Sequence, residues 1–253
     1  MMIKLTNMVI VIALAAGFLA ACASGEEAEA PAAEAVSMNN TLTEAELEEG
    51  WILMFDGETT DGWRGYNRDA FPESGWVIED GTLRVEAGAR PGDIIYDAKF
   101  HNFHLKLEWK AAEGANSGIF YLSQEIEGRP IWHSAPEMQI LDNENHPDAN
   151  QGIDGNRKAG SLYDLIPAVP QNFRGHGEWN EVEIIVNNGS VTHIQNGEVV
   201  VEFELGTPEW DEMVAESKFA PLDVFGIDQP GYIGLQDHND DVWFRNLKIM
   251  SLD

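Results

Sequence analysis

The sequence predicts a single antiparallel β-sandwich, and three observations carry that expectation. Apolar and polar residues alternate with a period of two, most clearly where Phe103, Leu105, Leu107 and Trp109 share one face and His104, Lys106, Glu108 and Lys110 take the other. Asp80-Gly81 and Asn196-Gly197 each lie between apolar runs and read as hairpin turns, because both central residues must accept positive φ. The crossover helices that an alternating α/β fold requires are not visible in the pattern.

The elements follow in chain order. Residues 1–21 carry one lysine, an apolar run over 8–18 and then Leu19-Ala20-Ala21 ahead of Cys22, the only cysteine. That pattern is expected of a cleaved export signal. The Leu-Ala-Ala-Cys string resembles the lipobox of bacterial lipoproteins, which implies lipidation at Cys22 and a membrane-anchored protein of the bacterial cell envelope, periplasmic or surface-facing. Residues 22–40 are rich in Ala and Glu and poor in large apolar side chains, so they are expected to form a solvated tether. The folded domain is expected over 41–253. Thr43 and Glu46 have capping-box spacing and open a short helix that ends near Gly50. Strands are expected at 51–55, 103–109, 118–123, 137–141, 181–186, 191–195, 231–236 and 242–250. Residues 208–219 read as the helix of the second half, with Trp210, Met213, Val214 and Ser217 along one side.

Composition narrows the function. The chain has 253 residues with 44 acidic against 15 basic side chains, a formal charge of −29. Nucleic acid is excluded as a partner, because binding it depends on a basic surface that releases counterions. No cysteine pair, zinc-binding helix motif, phosphate loop or Gly-x-Ser-x-Gly elbow occurs, which removes the zinc-finger, NTPase and serine-hydrolase classes. Eight tryptophans leave room for aromatic platforms that stack on sugar rings.

The densest polar string is Glu137-Met138-Gln139-Ile140-Leu141-Asp142. On a strand Glu137 and Gln139 share a face, and a bulge is needed to bring Asp142 beside them. Tyr232, Gly234, Gln236 and His238 alternate onto one side of another strand, where the small glycine leaves space for a ligand. His193 falls between Val191 and Gln195 on a third. His146 and Lys158 lie in a long polar loop over 143–160 of the kind that carries binding residues. The run from Asp237 to Asp241 lacks the spacing of a calcium loop and reads as a polar turn.

Six strings in order give a family resemblance: Gly50-Trp51-Ile52-Leu53-Met54-Phe55-Asp56-Gly57, Asn116-Ser117-Gly118-Ile119, Glu137 to Asp142, Gly177-Glu178-Trp179-Asn180, Gly234-Leu235-Gln236-Asp237-His238 and Phe244-Arg245-Asn246. From about residue 44 onward the chain resembles the 3-keto-disaccharide hydrolase domain family. The resemblance implies a concanavalin A-like jelly roll with a sugar-binding concave face, acting on 3-keto-glycosides. A ketone at C3 acidifies the C2 hydrogen, so a base can remove it, the C1 substituent can leave, and water can add to complete a net hydrolysis. Such chemistry needs a base, an electrophile for the enolate oxygen and a proton for the leaving oxygen.

Residue chemistry offers Glu137 or His238 as base and Arg245 or Lys158 near the oxyanion. Asn116, Gln139, Asp142 and Gln236, with His146, Tyr163 and His193, are candidates for substrate binding. Trp63, Tyr66, Trp132 and Tyr163 are candidate cleft aromatics. No cofactor is established by the sequence; a divalent cation held by Glu137, Asp142, His146 and His238 is compatible with it. A sugar 3-dehydrogenase is implied as a metabolic partner. Two other readings stand beside this one: a noncatalytic carbohydrate-binding module, and a retaining glycosidase using Glu137 and Asp142, whose E-x-Q-x-x-D spacing is similar to the E-x-D-x-x-E strand of retaining glucanases.

Overall fold

The structure, a computed structural model, describes residues 39–253. The expected signal over 1–21, Cys22 and the tether as far as residue 38 lie outside the described residues. Asn40 is buried, exchanges hydrogen bonds with Asn246 in both directions (2.6 and 2.9 Å) and donates to the Gly81 carbonyl at 2.7 Å.

Helix α1 (Glu44–Glu49) begins with the capping box read from the sequence, and Gly50 closes it in the left-handed conformation. Thirteen strands follow among the described residues: β1 (Ile52–Leu53), β2 (Trp63–Gly65), β3 (Trp76–Glu79), β4 (Thr82–Val85), β5 (Ile94–Phe100), β6 (Phe103–Ala111), β7 (Asn116–Ser123), β8 (Glu137–Leu141), β9 (Asn180–Asn187), β10 (Ser190–Gln195), β11 (Glu198–Glu204), β12 (Gly231–Leu235) and β13 (Val242–Ser251). Helix α2 (Pro208–Ala215) lies between β11 and β12. The larger sheet runs β11-β10-β9-β6-β13-β4-β3, with β1 beside the far half of β13; the smaller runs β2-β5-β12-β7-β8. Every pairing is antiparallel, and the two sheets form the expected jelly-roll sandwich. Both predicted hairpins are present, with Asp80-Gly81 at φ 48° and 72° and Asn196-Gly197 at 51° and 83°.

Between the sheets, Phe103, Leu105, Leu107 and Trp109 of β6 meet Ile119, Tyr121, Met138 and Ile140 of the smaller sheet in one continuous core. The smaller sheet is also covered on its other face. All of β7 and β8 is buried, and a second apolar cluster of Ile95, Phe120, Ile131 and Ala135 lies over them. This covering is why β8 does not show the half-solvated pattern of a simple antiparallel strand. Two segments supply much of it. The 3-10 turn Ile131–His133 seats Ile131 on Gly234, where a Cβ would come within 2.7 Å of Ile131 Cδ1. Residues 160–163 run along the free edge of β8, with the Gly160 and Tyr163 amides donating to the Gln139 and Glu137 carbonyls.

Helix α2 ends at Ala215, four residues before the predicted limit. The Ser217 hydroxyl donates to the Val214 carbonyl and accepts the Phe219 amide, a local side-chain substitute for the next helical turn. The chain therefore leaves the helix axis ahead of Lys218 and Phe219.

Candidate functional site

A cavity of about 210 Å³ opens on the outer face of the smaller sheet. Its floor is made by alternate residues of β7 and β8, Asn116, Glu137 and Gln139, with Gln236 just past the end of β12. Trp132, Tyr163, Lys218, Phe219 and His238 form the walls. Strand parity puts Glu137 and Gln139 on this face while Met138 and Ile140 fill the core between the sheets.

Glu137 is buried, and its carboxyl lies over Gly118 of the neighbouring strand, where no side chain stands in the way. With its amide nitrogen turned toward acceptors, Gln139 donates to Glu137 Oε1 at 3.0 Å and to the Ser117 carbonyl at 3.1 Å. Burial pushes the Glu137 carboxyl up to about 8; Lys218 opposes that shift, and the carboxyls of Asp93 and Asp148 add to it. Asp93 is itself pushed up to about 7 by burial, although it accepts the Asp237 amide.

Lys218 places its ammonium 4.0 Å from the Tyr163 ring centroid and 3.7 Å from Asp164 Oδ2. Burial holds it below the ordinary lysine range, while Asp164 and Glu137 act to raise it. Tyr163 donates to Asp148 at 3.0 Å, and Arg157 bonds both Asp148 and Asp164, so the wall that carries Lys218 is cross-braced. Gln236 Oε1 is buried with no donor among the described residues, an acceptor open to a ligand's donor.

Six of the eleven residues given a catalytic or binding role from the sequence line this cavity: Asn116, Glu137, Gln139, Tyr163, Gln236 and His238. His146 stands just behind, its ring centroid 6.3 Å from that of His238. The other four are placed elsewhere. Arg245 projects from the solvent side of the larger sheet, bonded twice to Glu108 (2.7 and 2.8 Å) and stacked 3.9 Å over Trp179. Lys158 folds along Gly155 in its loop, away from the cavity lining. His193 points from β10 into the core, accepting from the Tyr121 hydroxyl at 2.9 Å and donating to the Gly160 carbonyl at 3.2 Å, and burial lowers it to about 4. Asp142 is consumed by its own loop and the β6–β7 turn, accepting from the Glu144 and Gly114 amides and the Asn145 side chain. Burial works to raise its pKa, but those hydrogen bonds prevail and hold it below the usual range. The carboxylate pair that a retaining glycosidase would use is therefore not assembled.

Among the aromatics, Trp132 and Tyr163 line the cavity. Trp63 is a core residue donating to the Met54 carbonyl, and Tyr66 packs in the second cluster with its hydroxyl on the Gln124 carbonyl. Sequence reasoning missed Lys218, which no local pattern marks. The available clue was scarcity: in a chain with 15 basic residues, a lysine in the last turn of the predicted helix, beside a phenylalanine, merits a partner.

Comparison with known proteins agrees with this architecture. A family model described as 3-keto-alpha-glucoside-1,2-lyase-like domain matches residues 50–250. A 3-keto-disaccharide hydrolase of Bacteroides thetaiotaomicron is 44% identical, with 95% of this chain and 96% of that protein covered. Crystal structures of two candidate glycosyl hydrolases from Parabacteroides distasonis superpose with TM-scores of 0.77 and 0.60 at 31% and 27% identity. The first covers 85% of this chain and 100% of its own, the second 80% and 99%. By the extent of these matches, this chain belongs to the 3-keto-alpha-glucoside-1,2-lyase-like domain family.

Proposed function

We propose that the chain cleaves glycosides already oxidised to a ketone at C3, by elimination of the C1 substituent followed by hydration. That it is an enzyme acting on glycosidic bonds follows from its family and from the 44% identical hydrolase. The observation that carries the finer reading is Glu137: a single buried carboxyl, oriented by Gln139, in a cavity whose cationic side chain is Lys218. A carboxylate held near neutral pKa suits a proton that must be both taken and returned.

In this scheme Glu137 removes the C2 proton and Lys218 stabilises the negative charge that gathers on the C3 oxygen. The C1–O bond breaks, the electron pair forms the C1–C2 double bond of an enone, and the carboxylic acid just formed protonates the departing oxygen. Water then adds at C1, giving a proton to Glu137, which passes it to C2. Atoms balance as a net hydrolysis with one carboxyl working four times. His238 is a poorer base here, because it is exposed and no hydrogen bond from the described residues orients it. Gln236, Asn116 and Gln139 hold hydroxyls, and Trp132 at the mouth offers an apolar face to the sugar or its leaving group.

Export and lipidation at Cys22 belong to the same proposal, as does a sugar 3-dehydrogenase that supplies the oxidised substrate. A Cys22→Ala protein should leave the membrane fraction. The activity is tested by offering the full chain one glycoside and its 3-keto derivative and following release of the C1 group. Release from the keto sugar alone is expected; release from the unoxidised glycoside at a comparable rate would refute the proposal.

A further inference from the structure

We propose that His146, His238 and Asp240 bind one divalent cation at the rim of the cavity, positioned to take the adjacent C2 and C3 oxygens of the substrate. The site itself rests on geometry. Only the second clause depends on the reading of the substrate as a 3-keto sugar, whose α-hydroxy ketone is a two-oxygen chelator.

Each of the three side chains offers a ligand atom, and all these atoms lie within 4.8 Å of one another. Two metal–ligand bonds of about 2.0–2.2 Å reach about 4.4 Å at most, so the three side chains draw together by a few tenths of an ångström or more on loading. The donors come from segments far apart in the chain: His146 precedes the 3-10 turn Pro147–Asn150, while His238 and Asp240 belong to the loop joining β12 to β13. In two of the three, one polar atom is already engaged and the other is left. The Asp148 amide donates to His146 Nδ1 at 3.1 Å, which leaves Nε2. The Asn116 amide donates to Asp240 Oδ2 at 3.0 Å, which leaves Oδ1. His238 makes no hydrogen bond among the described residues and meets only the His146 ring.

Two imidazoles and one carboxylate suit Mn²⁺, Co²⁺ or Zn²⁺ and leave coordination positions for substrate oxygens. The chain's formal charge of −29 favours cation capture. The ligand set expected from the sequence is thereby corrected: His146 and His238 belong to it, while Asp240 takes the place of Glu137 and Asp142. The Asp148 hydrogen bond also carries a consequence. It keeps the hydrogen of the neutral His146 ring on Nε2, so loading must move that hydrogen to Nδ1 and give up the bond. The Asp148 amide is thus a built-in reporter of occupancy.

The test uses the chelator-stripped full chain, titrated with Mn²⁺ by electron paramagnetic resonance and with Co²⁺ by visible absorption. One equivalent per chain is expected for the wild type. His146→Ala and Asp240→Asn should each weaken binding by about tenfold or more, while Glu137→Gln keeps it within about threefold. The Asp148 amide resonance should shift on loading with diamagnetic Zn²⁺. Absence of saturable one-site binding, or binding unchanged in both His146→Ala and Asp240→Asn, would overturn the site. Loss of turnover of the 3-keto sugar on chelation, restored by Mn²⁺, supports the substrate contact, and turnover indifferent to chelation overturns that clause. A protein that binds the ion yet acts on no 3-keto sugar would count against the substrate reading and leave the ion site standing.

Discussion

Glu137 and Gly118 share one volume: a Cβ built on Gly118 would sit 2.1 Å from Glu137 Oε1 and 2.7 Å from its Cδ. The absent side chain on β7 is what lets the carboxyl of β8 lie flat on the sheet and face the cavity.

Gly118→Ala is therefore expected to expel the carboxyl while leaving the sandwich folded. Overpacking a buried site costs about 1–3 kcal/mol, and a base displaced by an ångström costs about a hundredfold in rate. Melting curves and kcat/KM on the 3-keto substrate check both halves. A variant within threefold of wild-type activity would show that the position of Glu137 is not set by this contact.

Replacing Glu137 by Gln separates activity from stability. The folded-state pKa of about 8 lies above the unfolded value near 4.3, so between those pH values the native chain binds the extra proton and stability falls as pH rises. The wild type carries the full penalty of a buried charge only above pH 8. Glu137→Gln should thus match it at pH 4 and exceed it at pH 9 by a few kcal/mol in urea denaturation, while losing about a hundredfold or more in kcat. Wild-type kcat/KM should climb with pH and level off above about 8. Equal stabilities of the two proteins at pH 9 would contradict the burial of this charge.

Lys218→Met keeps an unbranched apolar side chain beside Tyr163 and removes the charge that sits over its ring. A loss of about a hundredfold in kcat with a small change in KM is expected if the ammonium acts mainly on the enolate-like transition state. An increase in KM alone would make Lys218 a binding residue.

His193 and Arg245 test the reassigned positions. His193→Gln should retain kcat within about threefold. The folded pKa of His193, near 4, is depressed from 6.5, so its contribution is present above pH 6.5 and fades as pH falls toward 4; wild-type stability should drop more steeply than the variant's across that window. Arg245→Met should likewise keep activity and cost about 1 kcal/mol through loss of the Glu108 pair and the Trp179 stack.

Most of the fold and the floor of the cavity were legible in the sequence because both obey strand parity. The alternation of Glu137 and Gln139 with Met138 and Ile140, and the two Asx-Gly turns, fix local geometry without any tertiary knowledge. Parity also held a warning that chemistry overrode: His193 alternates with Val191 on the apolar side of β10, and Arg245 sits opposite Phe244, which faces the core. What parity cannot say is which sheet a strand joins, so Arg245 on the larger sheet looked as available as Gln236 on the smaller. Lys218 was invisible for a different reason, since a backbone turn made by Ser217 aims it at a strand eighty residues away. Asp142 looked like a partner of Glu137, yet it lies past the end of β8, where amides of its own loop and of the β6–β7 turn claim it.

The central claim is that Glu137 exchanges the C2 proton of a 3-keto sugar. The most direct test runs the reaction in D₂O and reads C2 of the released 3-keto product by NMR. Elimination and hydration predict deuterium at C2, with loss of both turnover and incorporation in Glu137→Gln. A product formed at full rate with its original hydrogen at C2 would contradict the mechanism and point to direct displacement at C1.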